Sequence, residues 1–383
     1  MNSIPCSDCN GGIMKYITLG EICKKGSSNI AQKDLDGNVG EFDIYGASGF
    51  IKKVDFYHQE KPYIAIVKDG AGVGRTMLLP AKSSVIGTMQ YILPNDDIDI
   101  KYLYYAIDNM NLGKYYMGAA IPHIYFKDYQ SEQLPLRNID EQKKIADILA
   151  RIDALLTDQQ AQLIKLDELV KSRFIEMFGD LASPNCKWEI AKLVDTCASP
   201  DDIKCGPFGT QLNKDEYVHS GVAVWEIPQI NSLFATTPTH YLTHEKAVQL
   251  EAYSLKPGDI AMSRKGNVGK CAVFPSKFEV GIIHSDVLRI RVDENRVLPV
   301  FMMHQLHLSG SIQHQIELVS AGAIMAGINV TKLKQINVHI PPMDLQQQFV
   351  TFIEQIDKSK FEIQQSLEKL EILKKSLMQQ YFG

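Results

Sequence analysis

The chain has 383 residues, of which 45% are hydrophobic and 22% charged, which indicates a globular protein of more than one domain. No apolar run approaches the roughly 18 residues that a membrane-spanning helix needs, and the N-terminus lacks the features of a signal peptide, so we expect a cytoplasmic protein. A net charge of −5 argues against a generally basic nucleic-acid binder, and seven scattered cysteines argue against a disulfide framework.

The chain is predicted to begin with a loose extension, residues 1–14. Cys6 and Cys9 in this extension have the spacing of a zinc-ligand pair, but no second pair follows at a suitable distance, so we expect no metal site. Residues 15–137 are then predicted to form a first domain. This domain has equal numbers of basic and acidic side chains, as has the later segment 184–340.

The first domain contains short strand-like runs, such as Tyr63–Val67 and Thr76–Leu79, and a helical stretch near its end. Between those two runs, the sequence from Asp69 to Arg75 has three alternating glycines and imitates the glycine loop of a dinucleotide or S-adenosylmethionine site. Such a loop must open a helix, whereas the residues that follow it are strand-like and stop at a proline. We therefore predict a hairpin turn that carries Lys68 and Arg75.

Residues 138–183 are predicted to form a long spacer helix. A heptad pattern runs through it, and Asp140 and Gly179 are suitable as its N-cap and as the residue after its C-terminus. The stretch 140–179 recurs at 344–383, at a constant offset of 204, without a gap and with thirteen identical residues. The chain is therefore predicted to be two half-molecules, each a globular segment followed by a long helix.

The segment 184–340 is predicted to be a second mixed domain with the same kind of hairpin. Its glycine turn, Arg264–Lys270, carries Arg264, Lys265 and Lys270, and it is not a phosphate-binding P-loop because Cys271 replaces the required Ser or Thr. A second glycine turn, at 203–212, carries Lys204 and Gln211, and 45–50 is its predicted counterpart in the first domain. Pro299–Leu318 reads as one helical stretch.

Basic side chains on tight glycine turns can meet phosphates or the O6 and N7 edge of guanine, although simple solvated turns explain the same residues. The candidate DNA-contact residues are therefore Lys68, Arg75, Lys204, Gln211, Arg264, Lys265 and Lys270.

Residues 341–383 are predicted to form a second spacer helix with the same heptad phase as the first and with Asp344 as its N-cap. Neither helix could bury its apolar stripe alone, so we expect the two to pair antiparallel over roughly 55 to 60 Å. A zipper between copies of the chain is the alternative. The predicted pairing seam consists of Ile145, Ile152, Leu166, Phe349, Ile356, Ile363, Leu370 and Leu377.

The predicted fold class is α+β, with two mixed domains separated by two long antiparallel coiled-coil helices in a pseudo-twofold arrangement. No Walker A, His-Glu-x-x-His, Gly-x-Ser-x-Gly or Asn/Asp-Pro-Pro-Tyr/Phe motif is present. We therefore expect no catalytic residue in this chain.

In this arrangement the chain resembles the specificity subunit of a type I restriction-modification system, over nearly its whole length. The local sequences that carry the resemblance are 203–212, 255–260 leading into 264–270, 45–50 and 72–75, together with the entries to the helices at 135–144 and 340–348. None of these sequences is a catalytic motif. Their specificity lies in their combination with the spacing of the repeat.

The resemblance implies that each target-recognition domain reads one half of a split, asymmetric sequence in double-stranded DNA, and that the helices set the gap. It also implies two methylation subunits with S-adenosylmethionine, and restriction or motor subunits with ATP and Mg²⁺; this chain would bind no cofactor itself. The alternatives are a specificity component of a two-subunit restriction system with a fused nuclease-methyltransferase partner, a coiled-coil scaffold that binds proteins, and an enzyme of unrecognised pattern.

Overall fold

The computed structural model describes residues 14–118, 122–179, 186–320 and 327–383. The chain divides into two compact units, the first formed by residues 1–161 with 363–383 and the second by 162–362. Each long helix therefore contributes to both units. We call the part of the first unit that precedes its long helix the first domain, and the part of the second unit between the two long helices the second domain.

Besides short 3-10 turns, the first domain contains nine strands and three α-helices within the described residues. They are β1 Tyr16–Thr18, α1 Leu19–Ile22, β2 Cys23–Ser27, β3 Phe42–Gly46, β4 Gly49–Val54, β5 Tyr63–Val67, β6 Thr76–Leu79, β7 Ser83–Val85, β8 Met89–Pro94, α2 Ile100–Asn109, α3 Phe126–Tyr129 and β9 Gln133–Pro135. The long helix α4, Ile139–Phe178, follows.

Besides short 3-10 turns, the second domain contains ten strands and five α-helices within the described residues. They are β10 Glu189–Lys192, β11 Ile203–Cys205, β12 Val222–Trp225, α5 Ile227–Asn231, β13 His240–Leu242, α6 His244–Gln249, β14 Ser254–Leu255, β15 Ile260–Ser263, β16 Cys271–Val273, β17 Gly281–Ile283, β18 Val287–Ile290, α7 Pro299–Leu308, α8 Gly310–Ser320, α9 Val330–Leu333 and β19 Asn337–Ile340. The long helix α10, Met343–Phe382, completes the chain.

The two domains share the topology of their main sheet, whereas their second sheets differ by one strand: the order is β4-β3-β7 in the first domain and β13-β12-β17-β14 in the second. A four-stranded antiparallel sheet has the order β2-β8-β5-β6 in the first domain and β11-β18-β15-β16 in the second. A second sheet contains one parallel pair in each domain, β3 with β7 and β12 with β17. A two-stranded sheet, β1 with β9 and β10 with β19, joins the two ends of each domain.

This shared topology shows that the duplication seen in the helices extends to the domains, whose sequences otherwise diverge. The predicted α+β fold, with two mixed domains and two long helices, is confirmed. One element differs from its prediction: the stretch Pro299–Leu318 is two helices, α7 and α8, because the helix stops at Ser309 in extended backbone geometry.

The long helices run antiparallel within each unit. In the first unit the Asp153 carboxylate on α4 forms an ion pair with the Lys374 ammonium on α10 at 2.7 Å. Gln159 Nε2 donates a hydrogen bond to Ser366 Oγ, also at 2.7 Å. In the second unit the Arg173 guanidinium lies 6.0 Å from the Phe352 ring centre. Each helix has 40 residues, which corresponds to about 60 Å at 1.5 Å per residue.

The ends of the helix pairs are apolar and merge with the domain cores. In the first unit Leu149 is fully buried in the core cluster that also holds Met378 and Phe382. In the second unit Phe174 packs edge-to-face against Phe349 at 5.5 Å between ring centres, within the largest core cluster. Each domain is therefore packed onto both long helices and not only onto the helix that follows it in sequence.

The predicted seam residues differ in burial. Ile145, Ile152, Phe349 and Ile356 are buried, and Leu166, Ile363, Leu370 and Leu377 are half-buried. Large apolar side chains also remain exposed on the helices; they are Ile139, Ile148, Leu155, Ile164, Leu169, Ile175, Phe361, Ile372 and Leu373. The role of the seam residues in holding the helices together stays a prediction.

The predicted helix caps are partly wrong. Helix α4 begins at Ile139, and the side-chain oxygen of Asn138, not of Asp140, accepts the backbone N–H of Glu141 at 2.9 Å. Helix α10 begins at Met343, so Asp344 lies in its first turn, where a carboxylate stabilises the positive end of the helix dipole. Gly179 ends α4 as predicted, with a φ of 78° that favours glycine and a hydrogen bond to the Ile175 carbonyl.

Two buried glutamines connect the starts of the long helices to the domains. Gln142 accepts the backbone N–H of Asp99 at 2.8 Å and donates to the Arg137 carbonyl at 2.9 Å. Gln346, its partner at offset 204, accepts the backbone N–H of Leu298 at 2.9 Å and donates to the Pro341 carbonyl at 2.8 Å. Each side chain thereby satisfies a free donor at the start of a domain helix, α2 or α7.

The predicted N-terminal extension, residues 1–14, lies outside the described residues except for Met14, and Cys6 and Cys9 lie outside them entirely. Among the described residues no group of three His, Cys, Asp or Glu side chains could hold a metal ion. No helix in the described part of the chain is long and apolar enough to cross a membrane.

Candidate nucleic-acid interface

The glycine turn of the first domain joins two antiparallel strands, β5 and β6, which confirms the predicted hairpin. Gly70, Gly72 and Gly74 all have φ near 90°, a conformation that residues with a Cβ rarely adopt. The alternating glycines therefore serve the turn itself. No helix begins here to direct its N-terminus at a phosphate, so a dinucleotide-binding loop is excluded at this position.

The two predicted cations of this turn are both engaged with protein groups. Lys68 Nζ lies 3.2 Å from a carboxylate oxygen of Asp69, whose other oxygen contacts His123. Arg75 is exposed, and its guanidinium donates to the carbonyl of Ala47 at 3.0 Å. Arg75 thus keeps donors for a partner, whereas the charge of Lys68 is offset by its neighbour.

The turn between β15 and β16 is the counterpart in the second domain, and the predicted hairpin is confirmed there too. Lys265 forms an ion pair with Asp286 at 2.8 Å. Lys270 lies close to His307 on α7, whose pKa is lowered by burial and by the charge of this lysine. Arg264 has no carboxylate partner among the described residues, and its guanidinium lies 4.9 Å from the centre of the Phe208 ring.

A backbone hydrogen bond at the same place in each domain shows that Lys68 and Arg264 are equivalent. The N–H of Ile124 donates to the Lys68 carbonyl at 3.0 Å, and the N–H of Ile328 donates to the Arg264 carbonyl at 3.1 Å. The two isoleucines are again separated by 204 positions. The constant offset therefore extends upstream of the helices to the residues that contact the hairpins.

The loop that follows β11 lies beside the second hairpin. A Cβ at Gly206 would come within 2.2 Å of the His284 carbonyl oxygen, so only glycine fits where the loop crosses this backbone. Two residues later the Phe208 ring is 46% exposed beneath Arg264. Gln211 accepts a hydrogen bond from the Tyr253 hydroxyl at 3.0 Å. The Lys204 ammonium lies 5.8 Å from the centre of the same tyrosine ring.

The buried Arg289 supports the residues around Lys204 and Tyr253 from inside the domain. Its strand β18 pairs with β11, opposite Lys204, and its buried guanidinium donates to the backbone carbonyls of Asp201 and Ser254 at 2.9 Å each. Burial, followed by the nearby charge of Arg291, lowers the pKa of Arg289 from its usual value. Because its donors are used within the protein, Arg289 positions Lys204 and Tyr253 and is not itself available to DNA.

The predicted equivalence of 45–50 and 203–212 is wrong. Residues 45–50 form the turn between β3 and β4, whereas 203–212 comprise β11 and the loop after it, which corresponds to β2 and its following loop. The two segments nevertheless have one property in common. Each contacts the glycine hairpin of its own domain, through Ala47 with Arg75 and through Phe208 with Arg264.

The structure thus brings Lys204, Gln211 and Arg264 together on one surface of the second domain, with Lys265 beside it. In the first domain it places Lys68 and Arg75 on one hairpin. The sequence prediction missed Phe208 and Tyr253, on which the cations rest. Phe208 stands in a glycine-rich segment that could have drawn notice, but no local pattern marks Tyr253. That each of the seven residues contacts DNA stays a prediction.

A family model described as "Type I restriction modification DNA specificity domain" matches residues 13–166 and again 187–374. The chain belongs to this family. The two matches follow the two halves of the chain, each with one domain and the greater part of one long helix.

The relatives agree with this result over most of their length. The chain is 22% identical over 337 residues to the type I restriction enzyme MjaVIII specificity subunit of Methanocaldococcus jannaschii, a match that covers 82% of this chain and 77% of the relative. A type I restriction-modification system S subunit from M. genitalium has the same fold, with a TM-score of 0.64, 15% identity and coverage of 98% and 97% of the two chains.

A second solved structure with this fold is reported as "Structural basis underlying complex assembly and conformational transition of the type I R-M system". Its matching chain gives a TM-score of 0.57 and 14% identity, over 96% of this chain and 97% of the other. The identities to both structures are low, so these two likenesses concern the fold. The family model and the curated relative carry the assignment to specificity subunits.

Proposed function

We propose that this chain is the non-catalytic DNA-reading subunit of a type I restriction-modification complex, and that each domain reads one half of a bipartite, asymmetric site. One observation carries the proposal beyond family membership. The main antiparallel sheets of the two domains have the same strand order, yet their equivalent hairpins and adjoining loops carry different side chains. Equal frameworks with unlike surfaces suit two different half-sites.

The DNA-contact surface that we propose comprises the two glycine hairpins and the loop after β11. Arg75 and Arg264 are the strongest candidates for base contacts, because each is placed on a rigid turn and neither has a carboxylate partner among the described residues. Lys68 and Lys265, which pair with Asp69 and Asp286, are better suited to a modest phosphate contact.

We further propose that the long helices set the distance between the half-sites and bind two methylation subunits. Their exposed apolar side chains support this role. On α10 the Ile372 side chain is 63% exposed and Leu373 46%, and on α4 Leu155 is 49% exposed. Apolar side chains that stay in water after the helices have paired are characteristic of protein interaction sites when they lie close together.

In this proposal the chemistry belongs to the partners. The methylation subunits would supply S-adenosylmethionine, and restriction or motor subunits would supply ATP and Mg²⁺, in the cytoplasm where the DNA lies. The residues of this chain would bind, orient and select the DNA. Nothing in the proposal requires a cofactor held by this chain.

The test is methylome sequencing of cells with the gene, without it, and with the gene restored on a plasmid. We expect a bipartite methylated motif, two short specific sequences separated by a fixed gap, to disappear on deletion and to return on restoration. A control deletion complemented by an unrelated specificity gene should restore methylation at a different motif. If the deletion leaves every methylated motif unchanged in a strain that expresses the partner subunits, the proposed function is wrong.

A further inference from the structure

The side-chain amide of Gln211 is held in one orientation by two hydrogen bonds to its oxygen. The backbone N–H of Phe208 donates to Gln211 Oε1 at 3.1 Å, and the Tyr253 hydroxyl donates to the same oxygen at 3.0 Å. A backbone N–H can only donate, so the amide cannot flip without losing this bond. Both lone pairs of Oε1 are then in use.

The other end of the amide has the opposite property. Gln211 is exposed, and its Nε2 has no hydrogen-bond partner within residues 14–118, 122–179, 186–320 and 327–383. The two donor hydrogens of Nε2 are therefore available to a partner. Glutamine usually reads adenine by accepting from N6 and donating to N7 at the same time. Gln211 is unable to make that pair and can only donate.

Arg264, beside Gln211, is likewise held by contacts within the protein that leave some of its donors unused. Its Nε donates to the carbonyl of Ile328 at 3.1 Å, and its guanidinium plane is supported by the Phe208 ring at 4.9 Å. These contacts orient the side chain and leave the terminal nitrogens for another partner. The two parallel donors of an arginine fit O6 and N7 of guanine, the pair of acceptors on the major-groove edge of that base.

The Lys204 ammonium, over the Tyr253 ring, adds a third donor to this surface. Lys204, Gln211 and Arg264 together form what we call the donor patch. The patch contains several hydrogen-bond donors and no free side-chain acceptor among these three residues. Its complement is therefore an edge made of acceptors, which among the base pairs is the major-groove edge of guanine.

We infer that the second domain reads a guanine through Arg264 and that Gln211 excludes adenine as its own partner by having only donors to offer. This inference rests on the proposed function, because it assumes that the second domain contacts base edges. It adds the identity of a base in one half-site and the chemical reason for it. The rigid Gly206 crossing and the backbone bond to Phe208 keep the donors in place before DNA binds.

The experiment introduces Arg264→Ala, Arg264→Lys and Gln211→Glu into the chromosomal gene, with the partner subunits intact, and compares the methylomes. In the wild type we expect a guanine in one half-site. In Arg264→Lys we expect methylation to persist while preference for that guanine falls by about tenfold, because lysine keeps the charge but loses the paired donors. Arg264→Ala should weaken the same half-site further, and the other half-site should not change.

Gln211→Glu tests the second part of the inference. The carboxylate still accepts from the Phe208 N–H and the Tyr253 hydroxyl, but its second oxygen replaces two donors with an acceptor. We expect the preferred base at one position to change to cytosine or adenine, whose amino groups can donate. Lys277→Ala is the matched control, since Lys277 makes the same 4.9 Å contact with an aromatic ring, Phe278, outside the patch. It should leave the motif unchanged.

The outcomes separate the inference from the proposed function. An altered half-site that contains no guanine, or an unchanged motif in both Arg264→Lys and Gln211→Glu, overturns the inference while the bipartite methylation still supports the function. Complete loss of methylation in both Arg264 variants, with unchanged thermal stability of the purified chain, would mean that Arg264 binds DNA without reading a base, and it would also overturn the inference. A gene deletion without effect on the methylome would contradict both the proposed function and the inference about guanine.

Discussion

Gln142 and Gln346 show how one residue type can define the junction between a domain and a helix. Both are at most 1% exposed, and both use the side-chain oxygen and nitrogen to satisfy backbone groups of the neighbouring domain. Polar groups are buried at little cost only when every hydrogen bond is made. The identity of these two glutamines in the repeat therefore has a structural cause that does not involve DNA.

We expect Gln346→Leu to lower the free energy of unfolding by about 1–3 kcal/mol, because the N–H of Leu298 would lose its acceptor in a buried environment. Chemical denaturation of the purified chain measures the effect. Gln347→Leu is the matched control, since Gln347 is the exposed neighbour on the same helix and should change stability little. Equal stability of Gln346→Leu and wild type would contradict the role of Gln346 as a junction.

At the scale of elements, the long helices combine apolar ends with polar contacts between them. The apolar ends share the cores of the domains, through Leu149 with Met378 in the first unit and Phe174 with Phe349 in the second. Further along, the helices meet through pairs such as Gln159 with Ser366. A partly buried polar pair within an otherwise apolar helix contact favours one alignment of the two helices.

Neighbouring residues on α4 provide a direct test of which helix face is buried. Leu149→Ala should lower the free energy of unfolding by about 2–5 kcal/mol, since Leu149 is fully buried among Met378, Phe382 and the first-domain core. Ile148→Ala, at a side chain that is 40% exposed, should change it much less. Thermal and urea unfolding of the two variants measure the difference. Similar losses in both would show that the helix face is assigned wrongly.

In the glycine hairpins the local sequence dictates the backbone conformation, but it does not determine which residues surround the basic side chains. Positive φ angles at Gly70, Gly72 and Gly74 follow from the sequence. The ion pair between Lys265 and Asp286 does not, because Lys265 lies in the turn after β15 and Asp286 in the connection between β17 and β18, 21 residues away in sequence. A basic turn in the sequence is therefore weaker evidence for a free cation than it first suggests.

At the scale of the molecule, the two domains share the topology of their main sheet and have neutral overall charge, and several of their lysines are paired with carboxylates. Neutralisation of phosphates by lysine and arginine supplies most of the non-specific affinity of DNA-binding proteins. We therefore expect the isolated chain to bind DNA weakly and the complete complex to bind it more tightly. Specificity would lie in the few side chains that differ between equivalent loops.

Replacement of residues 184–340 by the second domain of another family member should change one half of the methylated motif and leave the other half and the gap unchanged. The reason is that the second domain has its own core and its own candidate surface, while the first domain and the helices are retained. Methylome sequencing of cells with the chimaeric gene measures the result. A change in both halves, or in neither, would contradict the model of two independent readers.

Local patterns in the sequence were sufficient to determine the repeat, the two long helices and both glycine hairpins. Their signals, a heptad period and glycines between strand-like runs, arise within a few residues of one another. The predicted helix starts differ from the observed ones because the N-cap is the residue whose side chain reaches a free backbone N–H of the first turn. For α4 that residue is Asn138 and not Asp140. A pattern of residue types does not contain that distance.

The tertiary structure alone decided which candidate side chains are free to act. Tyr253, 42 residues from Gln211 in sequence, orients its amide, and Ile328, 64 residues from Arg264, holds that guanidinium. The sequence likewise does not show that Asp286 forms an ion pair with Lys265 and offsets its charge. Hydrogen bonds and ion pairs act over about 3 Å, so the state of a side chain depends on its neighbours in space, and those become known only when the chain has folded.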